Sequence, residues 1–512
     1  MSAIGSTSVP TRRGVFAGGG TGWWLGALGL VLAVRVLQVS FSAASLHVDE
    51  AQYWDWSQRL QAGYHTKPPL VAWLIAASRT AFGDGELGVR ALGLLCWPAT
   101  AAVLGVLAAD VAGRAQAAPW AAAVWLATPL AGLLGLVATT DGPLLLLWSV
   151  ALLALWRACV RASDGAWWLL GLALGLALLT KYTAAALLAG AWLFVLSRRR
   201  RREVTGLLLA SALALALLLP HLGWSHLQGW VTLRHTAEIT VQAHALPGRA
   251  GGLLAVAEGL GGQALAFAPL LLPLLPWWPR RPRPDLGTPP PWRPFLLLTS
   301  LPLLLAGLGQ AWRAGVQLNW LAPLHLALAL WLALALQAAP ARWRQCLGAL
   351  LAAQFVLVVG LSLLPAWAAA QHRLLPAWAD GWARMRGWDQ TLKPFVPLLR
   401  QLPDARVLTA SRSVMAQAAY HWRGQGIARQ AWAPAAQPRH HYESACPWRA
   451  GQPLPTHVLL DEPADPALLA ALGPLVLQAR SEVVLNQRRH RELTLWRVVQ
   501  APATANGVST CR

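Results

Sequence analysis

The stretch PLLLLWSVALLALW at residues 143–156 has no charged side chain, and GLLLASALALALLL at residues 206–219 repeats that pattern. Of the 512 residues, 56% are hydrophobic and only 12% are charged. A soluble domain of this size would not need such uninterrupted apolar runs to fill its core. The sequence therefore predicts a polytopic α-helical membrane protein.

The basic residues lie mainly between the apolar runs. The formal net charge is +21, and arginines cluster in short segments such as 198–202, 280–283 and 342–344. Cytoplasmic loops of membrane proteins are enriched in Lys and Arg. The positive charge therefore indicates membrane topology, and we expect no nucleic-acid partner.

A helix of about 20 apolar residues can cross the hydrocarbon core of a bilayer, and shorter ones can pair within a bundle. The first apolar segment follows Arg12 and Arg13 and is interpreted as a retained anchor. The predicted segments 166–180 and 183–196 are short and closely joined. A helical hairpin that does not fully cross the membrane is therefore an alternative for this pair. The eleven predicted spans are residues 22–41, 87–109, 117–136, 140–157, 166–180, 183–196, 204–221, 251–277, 295–309, 317–338 and 347–369.

Charge also predicts the orientation of these spans. If the N-terminal segment 1–21 is cytoplasmic, this segment and the inner connections hold 16 Lys and Arg, whereas the short outer connections hold 7. The excess of positive charge inside favours this orientation. The inner connections are then 110–116, 157–165, 197–203, 278–294 and 339–346. The outer ones are 42–86, 137–141, 181–182, 222–250, 310–316 and everything after about 370.

The composition changes after residue 370, where the membrane domain 22–370 is predicted to end. Short β-prone runs such as His457 to Leu460 alternate with helix-compatible segments, which predicts a soluble α/β domain at 371–512. Cys446 and Cys511 would share an outer, oxidising compartment. A disulfide between them is therefore a hypothesis.

The first outer connection contains the polar sequence LHVDEAQYWDWSQRLQAGYHTKPPLVAWL at residues 46–74. An interfacial helix with a solvated polar side is one interpretation. Asp49 and Glu50, however, directly follow a membrane span, where carboxylates are costly unless they are solvated or used. A carboxylate here could act as a general base, and Lys67 in the segment HTKPPL could pair with a phosphate.

Several short motifs follow in order along the chain. After DEAQYWDWSQ at 49–58 come ATTDGPLLLLW at 138–148, LGLALLTKYTAAALL at 174–188, WSHLQGWVTLRH at 224–235 and QLNWLAPLHLALAL at 317–330. Together they resemble the membrane glycosyltransferases of the GT-C superfamily. The resemblance is to family 39, which includes protein O-mannosyltransferases and lipid A aminoarabinose transferases, and it covers about residues 40–335.

The resemblance implies inverting transfer of a sugar from a polyprenyl-phosphate carrier, undecaprenyl phosphate in a bacterium, to an acceptor outside the inner membrane. The acceptor could be lipid A, another envelope lipid or glycan, or a protein. By the same resemblance Asp49 activates the acceptor, Glu50 is its partner, Asp141 is a second acid, and Lys67 contacts the donor phosphate. Breaking the glycosidic bond leaves negative charge on that phosphate, so nearby cations are needed. Lys67, Arg90 and Lys181 are the available candidates.

Four further polar residues are candidates for substrate binding: Tyr64, His226, Arg234 and Asn319. His226 and Arg234 lie in the outer connection 222–250, and Asn319 belongs to an Asn-Trp-x-x-Pro pattern of the relatives. No cofactor is certain. A divalent metal ion is possible, with Glu50 and His226 as a conceivable pair of ligands, although two ligands do not define a site.

Three alternatives to a lipid-modifying enzyme stay open at the level of sequence. One is an enzyme similar to the protein O-mannosyltransferases. Another is a transporter of lipid-linked sugars without chemistry, which would give Asp49 and Glu50 no role. The third is a scaffold that only displays the outer domain, in which case the loop residues could be changed without consequence.

Overall fold

The computed structural model describes residues 22–42, 44–241, 252–271, 291–402, 404–461, 465–499 and 510–511. Several predicted features therefore lie wholly or partly outside the described residues. They include the cytoplasmic segment 1–21, the end of the outer connection 222–250, the end of the span 251–277 and most of the inner connection 278–294.

Helices make up the described chain as far as residue 370. They are α1 (Gly22–Ser40), α2 (Val48–Ser57), α3 (Leu70–Phe82), α4 (Glu86–Ala112), α5 (Ala117–Ala127), α6 (Pro129–Leu134), α7 (Asp141–Val160), α8 (Gly165–Leu178), α9 (Ala185–Arg198), α10 (Arg201–Leu227), α11 (Val231–Val241), α12 (Leu253–Phe267), α13 (Trp292–Ala314), α14 (Ala322–Ala338) and α15 (Ala341–Ala370). Short 3-10 turns at Tyr182–Ala184 and Leu318–Leu321 precede α9 and α14.

Seven stretches of the described chain are long and apolar enough to cross a membrane. They are α1, α4, α7, α10, α13, α15 and residues Leu318–Gln337, which include most of α14. Each coincides with one of the predicted spans. The prediction of a multi-pass helical membrane protein is therefore confirmed.

The other four predicted spans fall on shorter helices. The span 117–136 is divided, because α5 ends at Ala127 and the hydroxyl of Thr128 accepts a hydrogen bond of 3.1 Å from the backbone N–H of Ala131. Pro129 then begins α6 and has no N–H to donate to the preceding turn. This break prevents one continuous helix.

The helices α8 and α9 have 14 residues each, and α12 has 15. A helix of 14 residues is about 21 Å long, which is less than the roughly 30 Å of a bilayer core. Eleven full crossings are therefore not confirmed. The incomplete hairpin at α8 and α9 remains an alternative.

Contacts among the predicted inner connections bring them together. Asp110 pairs with Arg157 at 2.7 Å and with Arg161 at 2.8 Å. Arg198 pairs with Glu203 at 2.6 Å. These ion pairs join the ends of α4, α7, α9 and α10 at one side of the helical domain.

The predicted outer connections meet one another in the same way. The Glu50 carboxylate accepts a 2.7 Å hydrogen bond from the backbone N–H of Ala138. The Thr232 hydroxyl donates to the carbonyl of Tyr64 at 2.7 Å. The division of the connections into two groups, which the charge pattern predicted, is thus present in the fold.

The chain after residue 370 forms short helices and a mixed sheet. The helices are α16 (Trp388–Leu392), α17 (Val396–Arg400), α18 (Arg412–His421), α19 (His441–Ala445) and α20 (Pro466–Leu472), and the strands are β1 (Arg406–Thr409), β2 (Ala428–Trp432), β3 (Pro447–Trp448), β4 (His457–Leu460), β5 (Leu475–Val484) and β6 (His490–Val498). The strand order is β3-β2-β1-β4-β6-β5. Strands β1 to β4 pair in parallel, and β6 pairs antiparallel with β4 and β5. The predicted soluble α/β fold is therefore observed.

The soluble domain packs against the first predicted outer connection. One buried apolar cluster includes Val48 and Ala51 of α2 with Met415 and Ala418 of α18, and the Gln417 side chain donates to the carbonyl of Leu46 at 2.8 Å. Burial of this apolar surface holds α18 against α2. The N-terminus of α18 is thereby fixed above the polar loop.

The hypothesis of a disulfide between Cys446 and Cys511 is confirmed, with the two Cα atoms 5.5 Å apart. The bond holds Cys511 beside β2, where the backbones of Arg429 and Cys511 also form two hydrogen bonds. A cross-link across 65 residues restricts the unfolded chain and so stabilises the domain.

Candidate active site

Helix α2 carries Asp49 and Glu50 in its first turn. The His47 side chain caps the helix by accepting from the Asp49 N–H, and the Glu50 carboxylate accepts from the backbone N–H of His47. The N-terminus of a helix stabilises negative charge. Successive residues of a helix point about 100° apart, so the two carboxylates face different surroundings.

Glu50 is enclosed by the fold. Its side chain is 0% exposed, and its two oxygens accept from the Nε and a terminal nitrogen of Arg90, both at 2.8 Å. The backbone N–H groups of His47 and Ala138 donate to the same carboxylate at 2.7 Å each. The predicted catalytic partner Glu50 is therefore a structural tie between α2, α4 and the connection before α7.

Arg90 was a predicted phosphate-binding residue, and the structure does not favour that role. Its side chain is 2% exposed and is committed to Glu50 and to the carbonyl of Ser45, at 2.7 Å. A substrate phosphate would have to displace a bidentate carboxylate that is already desolvated. We therefore exclude Arg90 from the candidate active site.

Asp49 is open to solvent on the other side of α2. Its side chain is 40% exposed, and two nitrogens of Arg412 lie 3.0 Å from one carboxylate oxygen. Burial raises the pKa of Asp49, but the charges of Arg412, His47 and Lys67 outweigh it and hold the pKa below its ordinary value. Asp49 is therefore ionised at neutral pH and reachable by a substrate.

Asp141 is the first residue of α7 and is nearly buried. The ammonium of Lys181 lies 2.9 Å from one carboxylate oxygen, and the side-chain amide of Asn319 donates to the other at 2.8 Å. The structure thus brings together three predicted site residues from three separate parts of the chain. The Asp141 carboxylate orients both partners.

Lys67 lies in the loop before α3, and the chain beside it is anchored to the connection that holds Lys181. The backbone N–H of Leu70 donates to the carbonyl of Leu179 at 3.0 Å. Burial, followed by the charge of Lys181, lowers the pKa of Lys67 to about 8, while Asp141 and Asp49 act in the opposite direction. Asp49, Lys67, Asp141, Lys181 and Asn319 therefore form one group, which we call the polar cluster.

Three residues at the polar cluster were missed from the sequence. Gln52 accepts from Arg412 at 2.8 Å, and the buried Tyr53 has its pKa raised by burial and by the charges of Asp49 and Asp141. Both residues lie one helical turn after Asp49, so they could have been predicted from the spacing of residues on one face of a helix. Arg412 gave no local signal, because it lies in the soluble domain far along the chain.

The predicted binding residue Tyr64 is part of the loop's own core. Its ring stacks on Trp56 with the centroids 4.5 Å apart, and its hydroxyl donates to the carbonyl of Trp56 at 3.0 Å. The side chain is buried. Tyr64 therefore shapes the loop and is not placed in the polar cluster.

The sequence WSHLQGWVTLRH of the predicted outer connection 222–250 offers His226, Arg234 and His235 as candidates, and the structure separates them. The side chains of His226 and Arg234 are exposed and belong to no contact within the polar cluster. The neighbouring His235 faces His65, with ring centroids 5.8 Å apart. Burial, with a smaller contribution from the charge of Lys67, lowers the pKa of His235.

The described residues do not fit a metal ion at this place. Glu50 already accepts four hydrogen bonds, and His226 lies on the exposed end of α10. Among the described residues one group of three potential ligands was found, Glu482, His490 and Glu492 on β5 and β6. It belongs to the soluble domain, and both of its carboxylates pair with Arg480.

The polar cluster combines a solvent-open carboxylate with two ammonium groups. Asp49 can accept a proton, and Lys67 and Lys181 can stabilise negative charge that develops on a phosphate. Such an arrangement suits the transfer of a group from a phosphate ester to a hydroxyl.

The relatives of the chain agree with this chemistry. The chain is 30% identical over 417 residues to the lipid A galacturonosyltransferase RgtD of Rhizobium johnstonii, covering 80% of this chain and 84% of that protein. The chain belongs to the GT-C superfamily of membrane glycosyltransferases. This glycosyltransferase is also 29% identical over 357 residues to the lipopolysaccharide core galacturonosyltransferase RgtB of the same organism, covering 66% and 70% of the two chains. Its residues 66–224 match the family described as dolichyl-phosphate-mannose-protein mannosyltransferase.

The glycosyltransferase is similar in fold to ArnT from Cupriavidus metallidurans. The TM-score is 0.61 to the apo structure, at 18% identity and with 93% of this chain and 98% of the other covered. It is 0.60 to the structure bound to undecaprenyl phosphate, at 17% identity and with 95% and 99% covered. The predicted fold class is confirmed. Because the superfamily consists of enzymes, the hypotheses of a transporter without chemistry and of a scaffold are wrong.

Proposed function

We propose that this glycosyltransferase moves a sugar from a polyprenyl-phosphate carrier to lipid A or a related envelope glycolipid. Its similarity to RgtD, a lipid A galacturonosyltransferase, supports the acceptor. The fold shared with ArnT, which has been solved with undecaprenyl phosphate, supports the donor. The observation that carries the proposal is the half-exposed Asp49 close to the cation Lys67, which in turn lies close to Lys181.

The sugar that we propose is a hexuronic acid, galacturonic acid in the first instance. Both RgtD and RgtB are named galacturonosyltransferases, and they match 80% and 66% of the chain. The described residues of the polar cluster include two lysines, and either could also contact a sugar carboxylate. A neutral hexose would lack that partner.

The proposed reaction is a single displacement at the anomeric carbon. The Asp49 carboxylate accepts the proton of an acceptor hydroxyl, whose oxygen forms the new bond to C1. The bond between C1 and the phosphate oxygen breaks, and its electron pair stays on the polyprenyl phosphate. One displacement inverts the configuration at C1, and the proton on Asp49 passes to water.

Lys67 and Lys181 would stabilise the departing phosphate. The leaving group gains negative charge as the C1–O bond breaks, so fixed cations lower the barrier. Asp141, which is held by Lys181 and Asn319 at 2.9 and 2.8 Å, acts in this scheme as a positioning residue. It keeps the Lys181 ammonium oriented in the absence of substrate.

The proposed location is the bacterial inner membrane, with the polar cluster and the soluble domain on the periplasmic side. The disulfide between Cys446 and Cys511 supports this location, because disulfides persist in oxidising compartments. A fusion of alkaline phosphatase to the C-terminus should be active in cells. An inactive but intact fusion would contradict the proposed orientation.

A protein acceptor is the second candidate function. The match of residues 66–224 to a family described by protein mannosyl transfer favours it. The two candidates differ in the product. In one the sugar is found on a glycolipid, and in the other on the hydroxyl side chain of an outer protein.

The test is mass spectrometry of lipid A, other envelope glycans and outer proteins from cells with and without the gene. We expect a lipid A species heavier by one hexuronic acid residue only in cells that have the gene. Complementation with D49N should fail to restore it. Complementation with D404N, which changes an exposed aspartate of the soluble domain, should succeed.

Two results would contradict parts of the proposal. Unchanged lipid A together with a hexose on outer proteins would favour the second candidate. Full restoration by D49N would refute the assignment of Asp49 as the base.

A further inference from the structure

A second polar cavity lies between the helical and soluble domains. Its volume is about 510 Å³, and it is bounded by the C-terminal half of α2 with the following loop on one side and by α18, β2 and α19 on the other. Asp55 in its wall is six residues after Asp49, which is about 9 Å along the helix axis. The cavity is therefore close to the polar cluster but does not contain its residues.

Aromatic side chains form much of the wall. Trp54, Trp56, Tyr64 and Trp422 line the cavity and are buried behind it. The ring of His441 meets that of Trp56 at 75°, with the centroids 5.5 Å apart. Aromatic rings combine a large apolar surface with polar edges, which suits the flat apolar face and the hydroxyls of a sugar.

Two buried donors on the wall lack protein partners. Arg429 is 5% exposed, and its Nε has no hydrogen-bond partner among the described residues; the same holds for Nε1 of Trp56. No carboxylate of the described chain lies within ion-pair distance of Arg429. Burial lowers the pKa of this guanidinium. A buried donor without an acceptor costs free energy, so a ligand that supplies acceptor oxygens would be favoured here.

The cavity is lined by charges of both signs. Asp84 is already paired with Arg79 and Arg423, and it accepts from the Trp54 indole N–H. Asp55 is half-buried and makes no ion pair within the described residues, although its charge acts on Arg429. The exposed side chain of Arg59 makes no ion pair within the described residues and is therefore available to an anion.

We propose that this cavity is a binding site for an anionic saccharide, a sugar unit with a carboxylate or a phosphate, held by Arg429 and Arg59 between aromatic walls. The site is separate from the polar cluster. That it holds the headgroup of the acceptor during transfer rests on the proposed function, whereas sugar binding itself does not.

The first test is isothermal titration of the purified full-length chain in detergent. The probes are glucosamine 1-phosphate, galacturonate, inorganic phosphate and galactose. We expect the two anionic sugars to bind at least about tenfold more tightly than galactose, because charge-assisted hydrogen bonds are the stronger ones. Glucosamine 1-phosphate represents a phosphorylated acceptor sugar, and galacturonate represents a uronic acid.

Four variants show whether the sugar binds in the cavity or at the polar cluster. R59Q changes an exposed residue, so it should fold, and R429Q removes the buried positive charge. Both should weaken binding of the anionic sugars by about tenfold. R400Q, an exposed arginine of the soluble domain outside the cavity, should bind as the wild type does, and K67Q should keep cavity binding while it loses a cation of the polar cluster.

The opposite pattern would overturn the proposal. If K67Q abolishes binding and R59Q and R429Q retain it, the sugar binds at the polar cluster. If neither anionic sugar binds, or if inorganic phosphate alone binds equally well, the cavity is not a saccharide site.

A transfer assay separates this proposal from the proposed function. R59Q should raise KM for the acceptor at least about fivefold, while KM for the donor stays within about twofold of the wild type. A rise confined to the donor KM would refute the role in holding the acceptor. Absence of any transfer by the wild-type chain would refute the proposed function and leave the binding result intact.

Discussion

The two sides of helix α2 carry neighbouring carboxylates that the fold treats in opposite ways. Glu50 faces the interior, where it is 0% exposed and accepts hydrogen bonds from Arg90 and two backbone N–H groups. Asp49 faces the interface with the soluble domain, where it is 40% exposed and is held by Arg412. One side is closed to a substrate, and the other is open to it. An acidic residue type is therefore insufficient to identify a base.

The cations differ in the same way. Arg90 forms a bidentate pair with a buried carboxylate and is 2% exposed, whereas Lys67 is only partly buried and makes no ion pair within the described residues. A guanidinium suits a fixed bidentate pair, and an ammonium on a flexible stem suits a phosphate that comes and goes. The following predictions test this contrast.

The largest expected effect is that of D49N on transfer. Loss of a general base typically lowers the rate by two to four orders of magnitude, so we expect kcat to fall by about 10³-fold. Donor affinity should stay within about twofold, because Asp49 is not assigned to the phosphate. The measurement is transfer and carrier binding with purified protein. Equal activity of D49N and the wild type would remove the distinction between the two sides of α2.

The variant E50Q should lower stability, in contrast to D49N. Removing one partner of a buried ion pair typically costs about 3 to 5 kcal/mol, since Arg90 is left without its counter-charge. A lower melting temperature in detergent, followed by the intrinsic tryptophan fluorescence, is the expected result. Activity per folded molecule should remain.

A matched control separates charge from packing at this pair. The double variant E50Q/R90Q should be more stable than E50Q alone, because no unpaired buried cation is left. If E50Q melts as the wild type does but transfers no sugar, Glu50 belongs to the catalytic machinery and the closed side of α2 has been misassigned.

Lys67 should produce an alkaline limit on donor use. Its pKa is lowered to about 8 by burial and by Lys181, and the protonated form binds the phosphate. The value of kcat/KM for the donor should therefore fall as the pH rises through about 8. In K67R the limit should move to higher pH, because a guanidinium stays charged. The control K393R changes an exposed lysine and should leave the pH dependence of kcat/KM as it is in the wild type. If K67R also leaves that pH dependence unchanged, Lys67 does not belong to the phosphate site.

The smallest expected effect is that of R412Q. Without Arg412 the effect of burial on the Asp49 carboxyl is less opposed, so its pKa should rise. A base must be deprotonated, and the acid limb of kcat/KM should therefore move to higher pH. The loss at neutral pH should be about threefold or less, since the pair is partly exposed. An acid limb that does not move would show that the soluble domain leaves the Asp49 charge unaffected.

Much of the architecture could be predicted because it depends on local patterns. The lengths of the apolar segments predicted the seven long helices, and the counts of Lys and Arg predicted the two groups of connections. The change in composition near residue 370 predicted the soluble domain. The break at Thr128 and Pro129 was missed, although proline gives a local reason for it. Within a long apolar stretch, hydrophobicity conceals such a break.

The candidate site was only partly predictable. Asp49, Lys67, Asp141 and Lys181 meet as expected from their positions on the predicted outer connections, and Asn319 joins them from the start of the predicted span 317–338. Which of them contact one another could not be read from composition or spacing. The polar cluster forms because the chain next to Lys67 bonds to Leu179 and because the 3-10 turn before α14 brings Asn319 to α7.

By itself, the sequence determined that this is a helical membrane protein with a C-terminal α/β domain and an acidic first loop, since hydrophobic length and composition are properties of one segment. Only the tertiary structure decided that Glu50 is enclosed while Asp49 is open. That difference depends on Arg90, Ala138 and Arg412, which are distant in the chain. Burial and ion pairing are set by neighbours in space, and neighbours in space are a property of the packed helices.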